Sequence, residues 1–373
     1  MSNQRHLFIC DTPFQIMMAL AFRMNTLKDE TVDIIISDII NDSFSLYENI
    51  KKSNIFSNVY YLKNYHIDYE VEIRTKYQDL FQTLFRKHFI KQIFKINNSY
   101  NFLYVTDSLK SFNWIYEILL KKNPEMKLFY YEEGPVSVLC DQGNHFKKYN
   151  EYGGRKYKLK NKLLGIKPIN GNFSGAYVSV KSLMKETYFP WIDIPKITNE
   201  QLKKYVDVLN SFWNYKSTND FKNKIIYLEE SFFTDKHENH DMEIIDDLIN
   251  NYGTEKIIVK LHPRTRINRF EPLGIKTYNK FSVPWELIVL NNDLDNSILI
   301  CYASGSIIHP ALYWGIQQKS IALVNCKEYH FSYLNNDYYK MYSYLCEQKK
   351  LSFLPNNKKE FLCFISDALG NKK

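Results

Sequence analysis

Five short stretches of this chain hold residue types that can bind or transfer charged groups. The first is Lys260-Leu261-His262-Pro263-Arg264, after the apolar run at 256–260. A strand there delivers His262 to the carboxyl edge of a sheet. Pro263 fixes the backbone that follows, and Arg264 and Arg266 add positive charge. A histidine so placed can donate a hydrogen bond to a phosphate oxygen, offset its charge as it departs, or supply a proton. Pro284-Trp285-Glu286 sets a carboxylate at a helix start, where it can bind both hydroxyls of a ribose or simply complement the helix dipole. Ser304-Gly305-Ser306 lies between a strand and a helix. Its backbone N–H groups can face an anion, although an N-cap without a ligand looks the same. In the first half, Asp11-Thr12-Pro13-Phe14-Gln15 and Glu132-Glu133-Gly134-Pro135 each follow a short apolar run. A second His-Pro pair, His309-Pro310, falls in the first turn of a helix, where proline has a structural use.

The elements that must position these groups alternate. Strands are expected at 6–10, 32–36, 53–61, 102–105 and 127–131, with helices at 14–24, 69–94 and 114–120, the last capped by Thr106-Asp107-Ser108. The segment 144–167 is polar and basic, with Arg155, Lys156, Lys158, Lys160, Lys162 and Lys167 against Glu151 alone. It suits a solvated loop, or contact with an anionic acceptor or membrane surface. Pro190 and Pro195 bracket the expected linker, and a helix follows from 199. Strands are then expected at 224–228, 256–260, 275–278, 297–301 and 319–324, with helices at 239–251, 284–290 and 307–314. This pattern predicts an α/β protein: a doubly wound domain at 1–190 and another at 196–373, facing a central cleft. In such sheets ligands sit at the carboxyl ends of the strands.

Composition narrows the function. The chain has 373 residues, 45% hydrophobic and 24% charged, enough for two cores. A net charge of +8 permits an anionic substrate and gives no sign of a nucleic-acid surface. The six cysteines lack C-x-x-C spacing, so no zinc or redox motif is present and a reducing compartment is expected. No run reaches the ~20 apolar residues of a membrane span, and no signal peptide is legible. G-x-G-x-x-G and P-loop motifs are absent. No isolated D-x-D stands on a loop after a strand: Asp246-Asp247 falls inside a helix, and Asp293 and Asp295 in a turn. A metal site is therefore not expected. Two such domains across a cleft form the GT-B architecture of nucleotide-sugar transferases.

In order and spacing, Asp11–Gln15, Tyr131–Gly134, Lys260–Pro263, Pro284–Glu286 and Tyr302–Ser306 together resemble the bacterial lipooligosaccharide sialyltransferases, glycosyltransferase family 52. The resemblance spans most of the chain. It implies that the first domain holds a glycan acceptor and the second binds CMP-sialic acid, in an inverting transfer that needs no metal or cofactor. It implies that His262 contacts the CMP phosphate as general acid and that Glu286 meets the ribose. Lys260, Pro263, Arg264, Ser304, Gly305 and Ser306 complete the donor site. Asp11, Thr12, Gln15, Glu132 and Gly134 fall on the acceptor side. For the general base the resemblance points first to Asp235, from the match of Asp235-Lys236, and second to Glu133; Glu229 and Glu230 stay open. It further implies a galactose-terminated or sialylated acceptor of capsule or lipooligosaccharide, a homodimer, and a cytoplasmic enzyme resting on the inner membrane face.

Overall fold

The structure is a computed structural model and describes residues 4–68, 81, 84–85, 98–134, 146–147, 155–164, 167–218, 220–329 and 336–370. The chain forms two compact units, Met1–Asn214 and Tyr215–Lys373.

Unit 1 is built on a parallel sheet of β1 (Arg5–Cys10), β2 (Thr31–Ser37), β3 (Asn58–Leu62), β4 (Phe102–Val105), β5 (Lys127–Tyr131), β6 (Gly175–Val178) and β7 (Trp191–Asp193), in the order β3-β2-β1-β4-β5-β6-β7. The inner strands are near-continuous apolar runs because helices cover both faces. On one face Leu7, Ile9, Leu103, Val105 and Leu128 pack against Phe112, Ile115 and Leu119 of α4 (Lys110–Lys122). On the other, Phe8 stacks on Tyr104 at 4.2 Å and Phe22 meets both rings. Much of the aromatic content is thus core. Helix α1 (Pro13–Met24) starts where Thr12 Oγ1 accepts from Gln15 N, with Pro13 in its first turn. Helices α2 (Ser43–Ser53), α3 (Tyr65–Asp68) and α5 (Arg155–Leu164) complete the described connections.

Several expectations change here. The segment bracketed by Pro190 and Pro195 is no linker. Trp191–Asp193 is an edge strand paired with β6, a place where flanking prolines cost no ladder bonds. The following helix, α6 (Asn199–Trp213), belongs to unit 1. Its Tyr205 donates to Met17 O at 2.8 Å, and Asn49 of α2 donates to Phe212 O at 2.9 Å. The chain leaves unit 1 only after Asn214, whose left-handed φ of 48° ends α6. The strand expected at 53–61 is confined to 58–62, and a helix at 43–53 precedes it. The helix α4 starts without a side-chain cap. The basic segment is helical over 155–164 and exposes Leu159 and Leu163. Most of the helix expected at 69–94 lies outside the described residues.

Unit 2 has β8 (Ile225–Leu228), β9 (Ile257–Lys260), β10 (Lys276–Tyr278), β11 (Ile298–Cys301) and β12 (Lys319–Ala322), all parallel, in the order β10-β9-β8-β11-β12. Helices α7 (Asp241–Tyr252), α8 (Trp285–Asn291), α9 (His309–Tyr313), α10 (Asn336–Glu347) and α11 (Lys358–Ala368) surround them. The chain adds β9 and β10 on one side of β8, then returns to add β11 and β12 on the other. The order reverses between β8 and β11, and crevices open at such points.

Candidate functional site

Register makes the carboxyl edge of unit 2 level. Leu228 pairs with Lys260 and Tyr227 with Ile300, so Glu230, His262 and Ala303 emerge side by side. Glu229, the first residue past β8, is buried and fully engaged. Its Oε2 accepts from His262 N at 3.0 Å and from Thr265 Oγ1 at 2.5 Å, and its Oε1 accepts from Arg269 Nη2 at 3.0 Å. Arg269 also donates to Asp241 Oδ2 at 2.6 Å, and Tyr227 donates to the other oxygen of Asp241 at 2.7 Å. The Arg269 guanidinium lies 3.9 Å from the centre of the Phe233 ring. Glu229 therefore anchors the His262 turn through three donors on its two oxygens.

His262 Nδ1 accepts from Arg264 N at 3.1 Å. That bond leaves the proton on Nε2. Burial, with the cations of Arg264 and Lys260 nearby, pushes His262 down to about 4. At neutral pH it is an uncharged hydrogen-bond donor. Lys260 is buried, donates to Leu261 O at 2.9 Å and lies 5.9 Å from the Tyr278 ring. Burial lowers its ammonium to about 8 against the pull of Glu286 and Glu229. Arg264 spans both oxygens of Asp235 at 3.0 Å and donates to Ser231 Oγ at 2.7 Å. Both oxygens of Asp235 thus already face a cation, while Pro263 is an exposed turn residue.

Glu286, in the first turn of α8, accepts from His309 Nδ1 at 2.7 Å, both side chains being buried. His309 therefore has a place beyond its proline. Its ring closes on the small-residue loop: a Cβ added at Gly305 would stand 2.7 Å from His309 Nε2. Ser304 Oγ caps Ser306 N at 3.3 Å. Ala303 N donates to Glu230 Oε1 at 2.5 Å. The structure thus brings Lys260, His262, Glu286, Ser304, Gly305 and Ser306 to one sheet edge. It adds Thr265, Arg269 and Asp241, which no motif marks, and gives Glu229, an open candidate for the base, and His309, read as structural, anchoring places in the site. The only hint in the sequence is that a buried carboxylate at a strand end must find donors.

Unit 1 gathers carboxylates at the ends of adjacent strands. Asp11 follows β1, Asp107 follows β4 and Glu133 follows β5. Gln15 Oε1 accepts from Asp11 N at 2.7 Å. Burial raises the Asp11 carboxyl well above the usual range, and the charges of Glu133 and Asp107 raise it further. Glu132 points elsewhere. It is fully buried and accepts from Ser179 N at 2.6 Å, tying β5 to the end of β6. Gly134 is buried at the limit of the described segment.

No protein-family model and no curated protein sequence matches this chain. Solved structures do. The glycotransferase of kitacinnamycin matches over 100% of this chain and 92% of its own, at 8% identity and a TM-score of 0.50. The alpha/beta-galactoside alpha-2,3-sialyltransferase of the luminous marine bacterium Photobacterium phosphoreum matches over 98% of this chain and 100% of its own, at 10% identity and a TM-score of 0.49. MurG of Acinetobacter baumannii matches over 99% and 96%, at 8% identity and a TM-score of 0.42. The first of these carries the fold assignment. This chain has the GT-B fold, two doubly wound α/β units in series.

Proposed function

We propose that this protein is an inverting, metal-independent glycosyltransferase that moves sialic acid from CMP-sialic acid to a glycan acceptor. The observation that carries the reading is His262. It is a neutral, tautomer-fixed imidazole at the carboxyl edge of the second sheet, level with the 302–306 loop and anchored through Glu229. An acceptor hydroxyl attacks the anomeric carbon, the bond from that carbon to the phosphate oxygen breaks, and CMP keeps the electron pair. His262 Nε2–H stabilises that oxygen, and the phosphate anion raises the imidazole toward protonation. Glu286 and the 304–306 loop hold the nucleotide. Arg264 turning from Asp235 to the phosphate would free Asp235 to take the acceptor proton, with Glu133 as the alternative base. Melting curves in EDTA test the donor. CMP should raise the melting temperature and UDP should not; a shift with UDP alone would reassign the nucleotide.

A further inference from the structure

The loop that follows β11 already holds a carboxyl group supplied by the chain itself. Glu230 follows β8 directly and its carboxylate reaches across to the far strand. Ala303 N donates to Oε1 at 2.5 Å, and the amides of Tyr302 and Ser304 add to the same carboxylate. Successive backbone amides beside one carboxyl group, with Ala303 N bonded to it directly, form a nest, a concavity suited to phosphate as well. This nest runs directly into Ser304-Gly305-Ser306, the stretch assigned above to the donor's phosphate.

We propose that Glu230 is a resident occupant of the donor's anion nest, and that a nucleotide phosphate binds by displacing its carboxylate from the amides of Tyr302, Ala303 and Ser304. The proposal rests on the reading of unit 2 as the donor-binding half. A simple tie between two strands explains the geometry less well. β8 and β11 are already joined by their ladder, from Ile225↔Ile298 to Tyr227↔Ile300. Glu230 is also poorly served where it sits. Loss of water there raises its carboxyl to about 8, against the help of the amides. The charge of Asp241 raises it further. A carboxyl group held by amides and kept protonated by loss of water is a weaker occupant of the nest than a phosphate anion. Glu230 thus sets the affinity of the crevice: part of the phosphate's binding free energy goes to expelling it.

The test is a gain of affinity, which structural damage would not produce. Calorimetric titration of the full chain with CMP, and separately with inorganic phosphate, compares the parent with Glu230→Ala. We expect both ligands to bind the variant at least tenfold more tightly. Glu230→Ser keeps a polar oxygen but is too short to reach the amides. It should tighten binding likewise, and it serves if the alanine variant does not fold. Unchanged or weaker binding in the variants overturns the proposal. The donor reading fails separately. If CMP binds neither protein while phosphate still tightens on Glu230→Ala, the nest stands and the nucleotide assignment falls.

Discussion

His262 is uncharged before any ligand arrives, because burial and two neighbouring cations hold it near 4. It therefore waits as a donor, and acquires acid character only when an anion sits beside it. What holds it there is Glu229, one carboxylate that takes the backbone N–H of His262, the Thr265 hydroxyl and the Arg269 guanidinium. Arg269 and Glu229 are both largely shielded from water, with side chains 12% and 1% exposed. Removing one partner of such a pair costs about 3–5 kcal/mol, since the other charge stays buried. Glu229→Gln should therefore lower the unfolding free energy of unit 2, read from its urea midpoint, by an amount in that range and weaken nucleotide binding with it. An unchanged midpoint would mean that Glu229 does not anchor the turn.

At the level of elements, the strands were the legible part. The runs at β1, β2, β4, β5, β8, β9 and β11 are apolar and bounded by polar residues, and the structure has them within a residue or two of their expected limits. The candidate residues at their ends followed from that. The bonds between those ends were not legible. Glu229 meets Arg269 across 40 positions and Glu286 meets His309 across 23, and no periodicity links them. The proline beside His309 explains the dipeptide so fully that nothing in the sequence points to the ring. The edge strand β7 was not legible, and helix α6, expected from 199, falls in unit 1 and not in the second domain, because prolines mark a strand edge as readily as a linker. The 302–306 loop offers a test at this scale. The His309 ring, pinned by Glu286, leaves no room for a methyl group at position 305. Gly305→Ala should cost about 1–3 kcal/mol through forced repacking. It should also raise the donor KM more than it lowers kcat. An alanine variant with the parent's KM would show that the loop does not hold the donor.

The whole molecule's pH response follows from groups in both units. His6 in unit 1 and His262 in unit 2 are both lowered from 6.5 to about 4 by burial. Their contribution is present above 6.5 and lost as pH falls toward 4. Glu230 is raised from 4.5 to about 8 and Asp11 moves in the same direction. Their contribution is present below the ordinary carboxylate range and lost as pH rises to 8. Between 4.5 and 6.5 the two trends oppose each other. From 6.5 to 8 the carboxyls outweigh Lys260, whose lowered ammonium acts only near 8, so the melting temperature should fall over that window, and less so in Asp11→Asn. A flat profile from 6.5 to 8 would mean that neither carboxyl is held protonated.

The central claim is that His262 acts on the departing phosphate of CMP-sialic acid, and transfer itself tests it most directly. The full chain, incubated with CMP-sialic acid and lactose or sialyllactose in EDTA, should form a sialylated product and release CMP. His262→Ala should lower kcat by roughly 10²–10⁴-fold, the usual share of one acid–base group. The account is contradicted if the parent forms no product from CMP-sialic acid while another nucleotide sugar is used, or if His262→Ala transfers at the parent's rate.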